Sequence, residues 1–193
     1  MKMTELEIPG SFVIETDVVE DRRGYYAPLW HSAEFVRRGL PTDFAQINLS
    51  FSERRGTLRG LHWQAAPHEE AKLVLCTRGK IFDVIVDTRP ASPTRGRWVG
   101  LTISSSDHRM VYVPHGCAHG LLTLEDACEI LYTSTAERQP GSERGMRYDD
   151  RGVGIAWPDE IRVISDKDLA WPAFESAEGR GAVAAQPAGH EVR

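Results

Sequence analysis

Two short runs between Gly56 and Gly79 carry a guanidinium, an imidazole and an ammonium: Arg59, His62 and Lys72. The first run reads as a β-strand, a turn-rich connection passes Pro67 and His68, and a second strand opens at Lys72 and ends at a glycine turn. A neutral imidazole can take a proton from carbon. An ammonium beside the neighbouring oxygen can hold the negative charge left behind. His62 therefore reads as a general base and Lys72 as the cation that stabilises an enolate. Strand alternation puts Lys72, Val74 and Cys76 on one face, so the lysine either snorkels to a rim or occupies a pocket. The plain alternative is a strand-end surface lysine. Arg59 and His62 fall on opposite faces unless Gly60 permits a bulge, and a site using both requires that bulge.

A further histidine, His119, follows the turn signals Pro114 and Gly116. It is expected at a turn just before a strand, facing a barrel mouth. The spacing of His62, Gln64, Lys72 and His119 resembles that of the four metal ligands of cupin barrels, with lysine in the third place. An ammonium has no lone pair for a metal and repels a dication, so the pocket is expected to be metal-free and suited to organic anions. His68 and His115 read as exposed turn residues. Tyr132 sits on the strand after His119, where packing is its ordinary role. A phenol opposite His62 would instead return a proton to the other face of a planar intermediate, as epimerisation demands. Asp83 and Asp168 are candidates to accept a hydrogen bond from the second nitrogen of His62. Arg23, Arg59 and Lys167 are candidates to grip a diphosphate.

The elements that must hold these groups are short and mostly extended. Runs rich in Val, Ile, Leu, Thr and aromatics at 12–16, 45–52, 72–77, 80–87, 98–103, 110–113, 120–124 and 129–135 read as strands, with a further extended stretch at 21–26. Residues 32–39 read as a short helix with Ser32 as N-cap and Gly39 as its stop. Arg78-Gly79 suggests a tight hairpin between the flanking strands. The polar stretch 138–150 reads as a loop. The fold class expected is all-β, a jelly roll or sandwich with a few short helices.

The chain has 193 residues, 41% of them hydrophobic, enough for one core. One domain over residues 1–174 is expected, followed by a loosely ordered tail at 175–193 rich in Ala, Gly and Glu. A net charge of −5 disfavours nucleic acid as a partner while leaving room for a local basic pocket. No apolar signal core opens the chain and no run approaches the ~20 apolar residues of a membrane span, so no membrane is expected and the cytoplasm is the expected location. Cys76, Cys117 and Cys128, without CxxC spacing, read as small buried thiols.

The motifs Arg59-Gly60-Leu61-His62, Ala71-Lys72-Leu73-Val74, Phe82-Asp83-Val84, Ser92-Pro93-Thr94, Gly116-Cys117-Ala118-His119-Gly120 and Ser165-Asp166-Lys167-Asp168-Leu169 occur in order along the chain. Together they resemble the dTDP-4-dehydrorhamnose 3,5-epimerase family. The resemblance implies a homodimeric, metal-free cupin jelly roll that uses no cofactor and takes a nucleotide-diphosphate 4-keto sugar. It also implies His62 as base, Tyr132 as acid, Asp168 as partner of His62 and Lys72 as the group polarising the keto oxygen. Arg23, Gln46, Asn48, Arg59, His119, Glu143 and Lys167 would line the nucleotide-sugar site, with Arg23 offered across the dimer. The chain departs from the family's pattern around the base of the nucleotide, at Pro28 and Arg138. Three other readings stand beside it: a single-centre epimerase or one for another nucleotide sugar, which fits the same residues; a metal-dependent cupin such as a dioxygenase, against which Lys72 argues; and a non-catalytic sugar-binding module.

Overall fold

The structure is a computed structural model that describes residues 1–174. In chain order it contains β1 (Lys2–Glu5), β2 (Phe12–Glu15), β3 (Val19–Asp21), β4 (Gly24–Tyr26), α1 (Ser32–Arg37), β5 (Gln46–Ser52), β6 (Leu58–Gln64) and β7 (Lys72–Arg78). It continues with β8 (Lys80–Asp87), β9 (Trp98–Ser104), β10 (Arg109–Val113), β11 (Cys117–Thr123), β12 (Cys128–Ser134), β13 (Glu143–Gly145) and α2 (Asp166–Leu169). The strands form a six-stranded sheet, ordered β1-β2-β10-β7-β12-β5, a five-stranded sheet, ordered β13-β6-β11-β8-β9, and the small β3-β4 hairpin.

The two large sheets face each other as the expected all-β sandwich. Val74, Cys76, Val111 and Ile130 from one meet Ile81, Ile85, Val99 and Leu121 from the other in a single buried cluster. Each sheet is also covered on its outer face. Phe35 of α1 packs on Phe12, Ile14, Leu73, Leu75 and Tyr112 of the six-stranded sheet. Met146 and Val153 pack on Leu61, Val84, Val86 and Trp98 of the five-stranded one. Central strands β7 and β8 are thus buried on both faces, which is why they read as near-continuous apolar runs rather than alternating ones. Lys72 is an exception inside such a run, facing inward with Val74 and Cys76.

Several local expectations are corrected. Strands β7 and β8 do not form a hairpin: β7 pairs with β10 and β12, and β8 with β9 and β11. Only Gly79 separates them, too little for a hairpin loop, and the chain there crosses from one sheet to the other. Gly79 has φ +79°, and a Cβ on it would lie 2.7 Å from Cys128 Sγ, so the crossing needs glycine. His119 lies within β11, not at a turn before it, because the Pro114–Gly116 punctuation ends where β11 begins at Cys117. The 138–150 stretch contains β13, three residues paired with β6 and without an apolar pattern to reveal them. Helix α1 is capped by His31 with no side-chain bond, and Ser32 is its first helical residue.

All three cysteines are free and buried. Burial pushes the thiols of Cys76 and Cys117 up to about 12, leaving them unreactive near neutral pH. No helix of the described residues is long and apolar enough to cross a membrane. The tail expected at 175–193 lies outside the described residues.

Candidate active site

Between the sheets the core opens into a cavity of about 550 Å³, the size of a small-molecule site. The five-stranded sheet contributes Arg59, His62 and His119; the six-stranded sheet contributes Gln46, Asn48, Lys72 and Tyr132. Glu143 of β13 and Lys167 and Asp168 of α2 complete the lining.

Each position has a local cause. His62 pairs with His119 on β11, whereas Arg59 pairs with Leu121, so β6 carries one residue more than its partner over this interval. That bulge restores Arg59 and His62 to the same side. Gly60 makes it feasible: its φ is +101°, and a Cβ there would lie 2.5 Å from the His119 carbonyl oxygen. Across the cavity, Tyr132 pairs with Asn48 on β5 and with Val74 on β7. Imidazole and phenol therefore approach from opposite sheets. Behind His62, Ser165 caps α2 by accepting from the Asp168 N–H at 3.1 Å. The Asp168 carboxylate in turn accepts from the Gly60 N–H at 3.2 Å and from the Trp171 indole at 3.4 Å.

Charge is balanced pairwise around this space. The Lys72 side chain is only 7% exposed and its Nζ lies 3.0 Å from Glu70 Oε1, so it is neither a surface nor a snorkelling lysine. Arg59 donates through Nε to Ser52 Oγ at 3.0 Å and through Nη2 to the Phe51 carbonyl at 2.8 Å, which fixes its fork at the cavity wall. Glu143 accepts from Lys167 at 2.5 Å and from the exposed Arg138 at 3.3 Å. Burial raises the Glu143 carboxyl, but these two cations more than offset it and hold it below the ordinary value.

Burial first, and the Lys72 ammonium second, push the pKa of His62 down to about 4, against the opposing pull of Asp168. The imidazole is therefore neutral, in the form a base needs, throughout the physiological range. Burial raises the Tyr132 phenol, aided by the Glu70 carboxylate, so it stays protonated as an acid must. In the free enzyme, kcat/KM is expected to remain flat through neutral pH and to fall only as pH drops through about 4, where His62 gains its proton. A pH–rate profile with an acid limb near 6.5 would contradict this.

Residues 5–176 match the family model described as dTDP-4-dehydrorhamnose 3,5-epimerase. The chain belongs to this family. It is 37% identical over 179 residues to the dTDP-4-dehydrorhamnose 3,5-epimerase of Shigella flexneri, spanning 92% of this chain and 98% of the relative. It is 40% identical over 173 residues to that of Methanothermobacter thermautotrophicus, spanning 88% and 92%. The crystal structure of the Elizabethkingia anophelis enzyme superposes with a TM-score of 0.87 at 35% identity, covering 91% of this chain and 97% of the other. The family's enzymes are isomerases, and this chain is one of them.

Of the site residues the family resemblance implied, only Arg23 is absent from the cavity lining. It stands at the turn of the exposed β3-β4 hairpin, its side chain 85% exposed and paired with Asp21. Asp83 does not serve His62. It faces inward on β8, and its Oδ2 lies 2.8 Å from His119 Nε2, the diagonal neighbour on β11. His68 and His115 are exposed turn residues as read. Among the described residues no group of three or more His, Cys, Asp or Glu could hold a metal ion. Sequence reasoning missed Glu70, which lines the cavity beside Lys72. Its signal was parity, since residues 70, 72 and 74 share one face of an extended chain.

Proposed function

We propose that this protein inverts C3 and C5 of dTDP-4-dehydro-6-deoxy-D-glucose to give dTDP-4-dehydro-L-rhamnose. One observation carries the reading: a neutral imidazole and a protonated phenol reach into one cavity from facing sheets, with a buried ammonium beside them. A hydrogen on C3 or C5 is acidic because the carbanion delocalises into the C4 oxygen. His62 removes it from one side, Lys72 holds the enolate oxygen, and Tyr132 delivers a proton from the other side. Asp168 stands behind His62, where its negative charge favours the imidazolium formed in that step. Arg59 and Lys167 bind the diphosphate, which orients the ring by contacts remote from the reacting carbons. Incubation with the 4-keto substrate in heavy water tests this: deuterium at both C3 and C5 of the product is expected. Label at one carbon alone would select a single-centre epimerase, and none would refute the reading.

A homodimer completes the site in this reading. On edge strand β5, Gln46, Asn48 and Ser50 line the cavity while Ile47, Leu49 and Phe51 are 71%, 63% and 49% exposed. That is an apolar row suited to a second copy. Arg23, outside the cavity of its own chain, then serves the partner. A monomeric mass by light scattering would overturn this. Three free cysteines fit a reducing compartment, the cytoplasm.

A further inference from the structure

Glu70 enters the chemistry assigned above only through its charge beside Lys72 and Tyr132, yet its carboxylate itself lines the same cavity. Its side chain is 14% exposed. Oε1 lies 3.0 Å from Lys72 Nζ, and Oε2 accepts from Ser134 Oγ at 2.6 Å. An ionised carboxylate offers about four acceptor positions, and these two donors leave capacity unused. The other carboxylates of the lining are engaged elsewhere, Glu143 by Lys167 and Arg138, Asp168 by Gly60 and Trp171. To a ligand, Glu70 and Lys72 present an acceptor and a donor one hydrogen-bond length apart. Two oxygens on neighbouring ring carbons have that same spacing. A ketone oxygen can take the donor only, while a hydroxyl on the adjacent carbon can give its proton to the acceptor.

We propose that Glu70 and Lys72 together read an α-hydroxy ketone, with Glu70 as a specificity-determining residue for a free hydroxyl at C3. This rests on the 4-keto-sugar reading. In such a sugar the ketone at C4 has one hydroxylated neighbour, C3, since C5 carries the methyl group and the ring oxygen. The pair thus distinguishes the two sides of the ketone and fixes which way round the ring enters. A charged acceptor lost by the protein, or a hydroxyl lost by the sugar, removes the same contact, so the two losses are coupled.

The test compares two substrates, the 4-keto-6-deoxy nucleotide sugar and its counterpart lacking only the C3 hydroxyl, by deuterium uptake at C5, a position both retain. Wild-type protein is expected to favour the hydroxylated substrate at least tenfold in kcat/KM. In Glu70→Gln, which keeps the side-chain volume and an oxygen for Lys72, that ratio is expected to fall at least tenfold, mainly through KM. If E70Q does not fold, E70D, which keeps the charge but withdraws it by one methylene, is read the same way. Should both substrates slow by the same factor in the variant, Glu70 only balances the charge of Lys72 and the inference is overturned. Absence of uptake from both substrates by the wild type would instead remove the epimerase reading, and this inference with it.

Discussion

Alanine at His62 is expected to abolish deuterium uptake at C3 and at C5 together, with a loss of about 10²–10⁴-fold or more in turnover, the scale of one positioned base. Both centres should fail because one imidazole serves both, sited between the Gly60 bulge and the His119 strand. The carboxylates of Asp168 and Glu143 are not free to replace it. The Asp168 oxygens are taken by Gly60 and Trp171, and Glu143 is held by two cations. Circular dichroism and thermal melting should stay close to wild type, since His62 lines a cavity and is not part of the packed clusters. Persistent uptake at either carbon would transfer the base role to another group, with His119 the first to examine.

Methionine at Lys72 keeps the length of the side chain and removes its charge. Turnover is expected to fall by about 10²–10³-fold, the loss typical when one well-placed oxyanion donor is deleted. A second consequence separates this role from a merely structural one. The Lys72 ammonium is the second largest cause of the depressed pKa of His62. Removing a positive neighbour favours the protonated imidazole, so the acid limb of the pH–rate profile should move from about 4 toward higher pH. A profile that keeps its acid limb in place would show that Lys72 does not act on His62. The variant also leaves Glu70 without its cation, and a lower melting temperature is expected on that account.

What could be read from the chain follows how local each cause is. Strands β5, β9, β10 and β12 were legible because alternation or apolar runs are properties of neighbouring residues. The need for a bulge at Gly60 was legible too, since Arg59 and His62 stand three positions apart along a strand and alternation then puts them on opposite faces. Sheet membership was not. Nothing in the residues around Gly79 says that β7 and β8 pair with strands far away in sequence instead of with each other. Strand β13 escaped because its three residues, Glu143, Arg144 and Gly145, gain their order from β6 and carry no pattern of their own. The partner of Asp83 was misjudged for the same reason: the diagonal between β8 and β11 exists only after the sheet is assembled. Glu70 was passed over as one of two glutamates in a turn-rich stretch, although its parity with Lys72 was there to be counted.

The extra residue in β6 has an implication for how such a site can change over generations. At their spacing of three positions, Arg59 and His62 share a side of the strand only while the bulge between them persists. A substitution at Gly60 that ironed out the bulge without shortening β6 would turn anchorage of the phosphates and removal of the proton away from each other. Holding the cargo and transforming it are in this sense inherited as one trait, and neither can be shed without risking the other.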